Sequence, residues 1–73
     1  MANDMGLRGL IRSQFPTDAE FAEQIGWSRQ RLSRILQQKQ PPTIPDVREI
    51  ADGLGVPFMM VAKFFLDNKS SIV

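Results

Sequence analysis

Apolar residues recur along most of this chain at spacings of three and four positions, which is the period of an amphipathic α-helix. Four such stretches and a fifth, almost continuously apolar one predict helices at residues 4–14, 18–25, 29–37, 44–54 and 57–67. The residues that we expect to face a shared core in the first four are Leu7, Leu10, Ile11, Phe21, Ala22, Ile25, Leu32, Ile35, Leu36, Val47, Ile50, Ala51 and Leu54. No strand is expected, so the predicted fold is all-α, a compact five-helix bundle.

The second and third predicted helices carry specific start and stop signals. Thr17 and Glu20 have the spacing of a capping box, in which each side chain bonds the backbone N–H of the other residue. Gly26 tolerates the positive φ that ends a helix, and Ser28 is a favourable N-cap for the next one. Two short helices joined by a tight turn form a helix-turn-helix, which we place at residues 18–37.

The fourth predicted helix has equally clear ends. Thr43 is its expected N-cap, and Pro45 and Asp46 are both tolerated or favoured in a first helical turn. Gly55 closes the helix as a C-terminal glycine.

Charge is unevenly distributed although the net charge is only +1. No acidic residue occurs between Glu23 and Asp46, and this interval contains Arg29, Arg31, Arg34 and Lys39. A basic helix face alone is often no more than a solvated surface. Within a helix-turn-helix, however, a localised basic face favours contact with the phosphates of nucleic acid.

Composition excludes several functional classes. The 73 residues, which we treat as a single domain spanning 1–73, contain no cysteine, histidine or tyrosine. The chain therefore lacks the commonest general base and the commonest metal ligands, and we expect neither enzymatic activity nor a metal or other cofactor. The N-terminus has no apolar leader, and the apolar run at 56–66 is too short to span a bilayer and is interrupted by Lys63. The expected location is cytoplasmic, without a membrane partner.

Several motifs match one known family in order and spacing. They are an Ala-x3-Gly pair, a basic core in the third helix, a Lys-x-x-Pro-Thr loop and an Ile-Ala-x-x-Leu-Gly-Val helix end: Ala22, Gly26, Ser28, Arg29, Leu32, Ser33, Arg34, Lys39, Pro42, Thr43, Ile50, Ala51, Leu54, Gly55 and Val56. From about Leu7 to Leu66 the chain resembles the Xre/Cro-like helix-turn-helix family of phage repressors and Cro proteins. The resemblance implies a lambda-repressor-like domain that binds double-stranded DNA.

Three residues depart from the pattern of that family. The family usually has a glutamine that contacts a DNA phosphate at the position of Asp18, whereas an aspartate repels phosphate but stabilises a helix start. Leu36 and Gln38 replace a glutamate and a glycine that follow the recognition helix, which is the third predicted helix. The path of residues 37–42 is therefore left open.

The DNA-contacting residues are predicted from their places on the recognition helix. Its N-terminal residues reach base edges in the major groove, where arginine suits guanine and glutamine suits adenine. The candidates for base contact are Arg29, Gln30 and Arg34, the positions that the resemblance also implies, with Ser33 as a secondary candidate. The candidates for phosphate contact are Arg31, the loop residues Lys39 and Gln40, and the backbone N–H of Thr17.

Trp27 lies in the turn between the second and third predicted helices. Its ring could pack on Phe21 or lie against the sugar-phosphate backbone. We favour partial burial and a structural role.

The last predicted helix is apolar around its whole circumference, more than one core-facing side requires. We interpret residues 57–67 as a homodimer interface that uses Phe58, Met59, Phe64, Phe65 and Leu66. The alternative is that the tail at 69–73 folds back and covers this helix.

Two functions remain open at this point. The first is a small repressor-like or Cro-like transcriptional regulator that binds a palindromic operator as a homodimer. The second is an antitoxin that binds a toxin through the apolar C-terminal helix and regulates its own operon.

Overall fold

Five α-helices make up the computed structural model, which describes residues 6–37, 39–67 and 72. The helices are α1 (Leu7–Gln14), α2 (Asp18–Gln24), α3 (Arg29–Leu36), α4 (Ile44–Leu54) and α5 (Phe58–Asp67), and the described residues contain no strand. The predicted all-α fold is confirmed, with boundaries that agree to within one residue except at the start of α1. Residues 4 and 5 of that predicted helix lie outside the described residues.

Each helix contributes apolar side chains to one core. Helix α4 packs against α5 and α1, while α2 packs against α3 and α1. The fully buried residues on the predicted apolar stripes of the first four helices include Ile11, Phe21, Leu32, Ile35, Val47 and Ile50, and Val61 is fully buried in α5. Because helices this short are marginal alone, this shared core is what stabilises them.

The turn between α2 and α3 is built as the sequence predicts. Gly26 has φ +78°, and the backbone N–H of Trp27 donates to the Ala22 carbonyl at 2.8 Å. Thr17 Oγ1 accepts from the Glu20 N–H at 3.2 Å, but among the described residues Glu20 returns no bond to Thr17. The predicted capping box is therefore only half formed at this helix.

The complete capping box lies at α4 instead. Thr43 Oγ1 accepts from the Asp46 N–H at 3.2 Å, and Asp46 Oδ2 accepts from the Thr43 N–H at 3.0 Å. Gly55 ends this helix with φ +70°. Asp46 is only 4% exposed, so this cap lies inside the protein and fixes where α4 begins.

Gly53 sits where α4 crosses the end of α2, a role that periodicity did not predict. A Cβ at this position would lie 3.0 Å from Phe21 Cε1 and would also collide with Ile25 Cγ2. The missing side chain therefore lets α2 approach α4 closely, which helps to set the tilt of the helix-turn-helix against the rest of the protein.

Candidate nucleic-acid interface

The recognition helix α3 has one buried and one exposed side. Ser28 caps its start, with Oγ accepting from the Arg31 N–H at 3.1 Å. Leu32 and Ile35 are fully buried and hold this side of the helix in the core. The opposite side faces solvent and is the only side that a nucleic acid could reach.

Three of the predicted base-reading residues occupy that exposed side. Arg29, Gln30 and Arg34 are exposed, and their side chains form no hydrogen bond or ion pair with any residue that the structure describes. Ser33 is half-buried, and its Oγ accepts from Gln37 Nε2 at 3.0 Å. The donors of the first three are therefore available to a ligand, while the Ser33 hydroxyl is partly committed.

Arg31 points away from that side and into a contact within the fold. Its guanidinium bonds Asp46 Oδ1 through Nη2 at 2.5 Å and lies 4.2 Å from the ring centroid of Trp27. A cation held by a carboxylate and an aromatic face has its charge largely matched already. The Arg31 side chain is still 42% exposed, so the predicted phosphate contact stays a prediction, and the contact that the structure shows is the one that holds α3 on α4.

Trp27 is a structural residue, in line with the prediction, and it is more deeply buried than expected. The residue is 6% exposed, and its Nε1 donates to Glu49 Oε1 at 3.2 Å. A ring covered in this way cannot lie against a sugar-phosphate backbone. The aromatic neighbour of Phe21 is Phe15, with ring centroids 5.1 Å apart.

The loop after α3 presents two further predicted contacts. The Lys39 N–H donates to the Arg34 carbonyl at 2.9 Å, which keeps Lys39 close to the end of the recognition helix. Lys39 and Gln40 are exposed, whereas Pro42 is buried and returns the chain to α4. This settles most of the path left open by the sequence, and Gln38 lies outside the described residues.

Asp18 is paired with arginines that the sequence reading did not consider. Arg12 Nε donates to Asp18 Oδ1 at 3.2 Å, and Arg8 Nε lies 4.0 Å from Oδ2. Beside this pair is a groove lined by Arg12, Thr17, Asp18, Ala19 and Arg29. Arg8 and Arg12 lie four residues apart on one helix, a spacing that places both side chains on one face and was the available sequence signal.

Comparison with protein families decides the identity of this fold. The helix-turn-helix family model HTH_3 matches residues 12–59, which is more than half of the chain. The chain belongs to the Xre/Cro-like helix-turn-helix family. Comparisons with curated proteins and with solved structures give no match.

Membership in the Xre/Cro-like family makes the chain a DNA-binding helix-turn-helix regulator with double-stranded DNA as its partner. The family model covers the groove at Arg12, the whole of α2, α3 and α4, and the first residues of α5. In the part of the chain that the structure describes, no helix has the length and apolar character needed to cross a membrane.

Helix α5 of this Xre/Cro-like protein divides into a core side and a surface side. Val61, Ala62 and Phe65 face the core, and Phe65 is only 4% exposed. The assignment of Phe65 to an interface with a second chain is therefore wrong, since its ring is already used within the protomer. Phe58 and Phe64 are half-buried against the same core.

The surface side of α5 carries three large apolar side chains together with the exposed charges of Lys63 and Asp67. Met59 is 69% exposed, Leu66 56% and Met60, which the prediction omitted, 45%. Ile44 at the start of α4 is exposed as well, and a groove between the two helices is lined by Ile44, Pro45, Arg48 and Phe58. We call Ile44, Phe58, Met59, Met60 and Leu66 the α4–α5 apolar face.

Of the tail that was expected to fold back in the alternative, the structure describes Ile72. This residue packs against the core, and residues 69–71 and 73 lie outside the described residues. The α4–α5 apolar face keeps its exposed methionines and leucine with Ile72 in that position.

Proposed function

We propose that this protein is a small sequence-specific transcriptional regulator of the repressor or Cro type. It binds a pseudo-palindromic operator as a homodimer and places α3 of each protomer in the major groove. The observation that carries the proposal is the exposed side of α3. There the side-chain donors of Arg29, Gln30 and Arg34 have no partner among the described residues, while Leu32 and Ile35 are buried on the opposite side.

Base reading is assigned to the first turn of α3 and to the residue one turn later. Arg29 is suited to donate to the O6 and N7 atoms of a guanine, and Gln30 can pair with the N6 and N7 atoms of an adenine. Arg34 extends the same side of the helix toward neighbouring base pairs. Ser33 is a secondary contact because its hydroxyl already accepts from Gln37.

Phosphate contacts fix the register of the helix without reading sequence. Lys39 and Gln40 suit this role because they are exposed and follow directly after α3. The backbone N–H of Thr17 is a third candidate, since its residue lines the groove next to Arg29. Arg31 is the least favoured candidate, because its guanidinium is already bound to Asp46.

The α4–α5 apolar face supports the homodimer. Large apolar side chains exposed together on a small protein mark an interaction surface. Ile44, which belongs to this face, begins α4 just after the loop that carries Lys39 and follows the end of α3. A two-fold contact here would bring two recognition helices to neighbouring half-sites, as a palindromic operator requires.

An antitoxin role is the second candidate, and the exposed methionines favour it. Met59 and Met60 are flexible and polarizable, and such side chains adapt to a differently shaped partner such as a toxin. Sedimentation of the purified chain separates the two roles. A homodimer at micromolar concentration supports the repressor, and a monomer at every concentration supports a heterologous partner.

Selection from a randomised duplex library tests the proposed function directly. The wild-type protein should enrich a site with two related half-sites. Arg29→Ala and Gln30→Ala should each relax one base pair in each half-site, lowering discrimination there by about 1–3 kcal/mol. Absence of enrichment with the folded wild-type protein, or an unchanged preference in both variants, would overturn the placement of α3.

A further inference from the structure

The α4–α5 apolar face carries the sulfur atoms of the described part of the chain. The sequence has four methionines and no cysteine. Met1 and Met5 lie outside the described residues, and Met59 and Met60 follow each other in the first turn of α5. Met59 is 69% exposed and Met60 45%, so both thioethers are open to a small oxidant dissolved in water.

The other described residues offer an oxidant little competition. Cysteine thiolates, which oxidants attack readily, are missing from the sequence, and so are histidine and tyrosine. Trp27 is the one tryptophan, and it is 6% exposed with Arg31 stacked on its ring. Among the described residues, therefore, two-electron oxidation falls on the two methionines of α5, and first on the more exposed Met59.

We propose that Met59 is a site of reversible oxidation to methionine sulfoxide and that this modification dissociates the homodimer. The inference rests on the proposed function, which places Met59 in the contact between two protomers. Hydrogen peroxide is the oxidant. The Met59 sulfur forms a bond to one peroxide oxygen as the O–O bond breaks, sulfur gives up two electrons, and the other oxygen leaves as water with the proton of the transferred one. A dithiol reductase reverses the step, because two thiols become a disulfide and the sulfoxide oxygen leaves as water.

The loss of the dimer follows from what the sulfoxide adds to an apolar contact. A thioether packs as an apolar group, whereas the sulfoxide oxygen is a hydrogen-bond acceptor that must lose its water when the face is covered. A two-fold contact brings in one modified side chain from each protomer. In the monomer the oxygen stays hydrated because Met59 is exposed. The modification therefore disfavours the dimer and leaves the protomer folded.

The charges beside this face favour a second copy of the chain as the partner that covers Met59. Lys63 and Asp67 lie one turn apart on α5, and both line a shallow groove together with Met60. A two-fold contact presents the same lysine and aspartate from the other protomer, so each charge can meet its opposite. A partner with one predominant charge would leave either Lys63 or Asp67 unmatched.

Dimerisation and oxidation then oppose each other. Because the dimer contact covers the Met59 sulfur, peroxide attacks it in the monomer, and the dimer on its operator is protected. Each oxidised protomer is in turn withdrawn from the dimer. Peroxide therefore removes the regulator from DNA most effectively when the protein is dilute.

Peroxide treatment of the wild-type protein and of two leucine variants tests the inference. After a dose that adds one oxygen to Met59, measured by mass spectrometry of the peptide, the Kd of the wild-type dimer should rise on the order of tenfold, and operator binding should weaken with it. Met59→Leu keeps an apolar side chain of similar size without sulfur, so the same dose should leave its dimer and its DNA binding unchanged. Met60→Leu is the matched control and should stay as sensitive as the wild type, because it retains Met59.

Three further measurements separate this role from general damage. Met59→Gln introduces an uncharged polar side chain of similar length and should weaken the dimer without any oxidant. Methionine sulfoxide reductases of both stereospecificities, supplied with dithiothreitol, should restore the oxidised wild-type dimer. The rate of oxygen addition at Met59, measured against free N-acetylmethionine in the same tube, should fall when high protein concentration or operator DNA favours the dimer. Thermal melting of the oxidised and substituted proteins verifies that the protomer stays folded.

The possible failures are distinguishable. A wild-type protein that is monomeric at every concentration before oxidation refutes the proposed homodimer, and this inference with it. A wild-type dimer that keeps its Kd after Met59 has gained an oxygen refutes the oxidation site alone. So does a dimer that peroxide weakens equally in Met59→Leu, or that Met60→Leu protects.

Discussion

Helices α3 and α5 each bury one side in the same core, yet they expose opposite chemistry. The exposed side of α3 carries Arg29, Gln30 and Arg34. The exposed side of α5 carries Met59, Met60 and Leu66 beside one lysine and one aspartate of opposite charge, Lys63 and Asp67. A polar, cationic surface binds through charge and hydrogen bonds and weakens as salt screens it. An apolar surface binds by release of water and responds little to moderate salt. The proposed function therefore assigns the protein two binding surfaces that one variable, ionic strength, can separate.

The largest expected effect is on stability and comes from the core into which both helices pack. Leu32→Ala should lower the free energy of unfolding by about 2–5 kcal/mol, because Leu32 is fully buried and its removal leaves a cavity. Leu66→Ala deletes the same atoms from a residue that is 56% exposed and should change the stability of the monomer by less than about 1 kcal/mol. Urea denaturation at low protein concentration measures both. Equal losses in the two variants would contradict the division into core and surface sides.

The next largest effect is expected from a charge on the apolar surface, which should break the proposed dimer. Met59→Glu should weaken self-association by about 2–3 kcal/mol, on the order of 100-fold in Kd, because two carboxylates would be desolvated at a two-fold contact. The folded monomer should bind the operator much more weakly. Met59→Leu keeps the apolar character and is the control. Sedimentation and operator titration check both variants, and a dimer that tolerates Met59→Glu would place the interface elsewhere.

DNA binding and dimerisation should then differ in their dependence on salt. Lys39→Ala should weaken DNA binding on the order of tenfold for all sequences and reduce the salt slope of the dimer by about 2. The dissociation constant of the dimer itself should stay nearly constant between low and moderate salt. Titrations at several KCl concentrations measure both quantities. Dimerisation that is as salt-sensitive as DNA binding would show that charge, rather than apolar burial, holds the protomers together.

The smallest expected effect distinguishes two arginines on one helix. Arg31→Ala should lower the free energy of unfolding by about 1 kcal/mol, through loss of the Asp46 and Trp27 contacts, and leave the salt slope unchanged. Arg34→Ala should leave stability within about 0.5 kcal/mol and alter DNA binding instead. Denaturation and operator titration of the same preparations make the comparison. A shallower salt slope for Arg31→Ala would return that residue to the phosphate contacts.

The features that the sequence predicts correctly depend on local chemistry. Gly26 and Gly55 end their helices because glycine tolerates positive φ, and Thr43 starts α4 because its hydroxyl lies near the next free N–H groups. Such signals need only neighbours in the chain. The five helices and their core stripes follow from the same local reasoning and from the 3.6-residue period.

The features that the sequence does not predict depend on partners brought together by the fold. Arg31 meets Asp46 across α3 and α4, Arg12 meets Asp18 across α1 and α2, and Gly53 matters only because α2 lies against it. The prediction of which α5 residues are exposed failed for a different reason. When nearly every residue is apolar, periodicity cannot give the rotation of the helix, so the burial of Phe65 was not predictable.

The stacking of Arg31 on Trp27 gives the protein an optical reporter. Trp27 is the one tryptophan in the chain, and its buried ring lies at the anchored side of α3, away from the face assigned to DNA. Its ultraviolet fluorescence emission therefore reports changes in the packing of α3 against the rest of the protein. Fluorescence can follow that packing in each variant without any added label and without placing a dye where the operator binds.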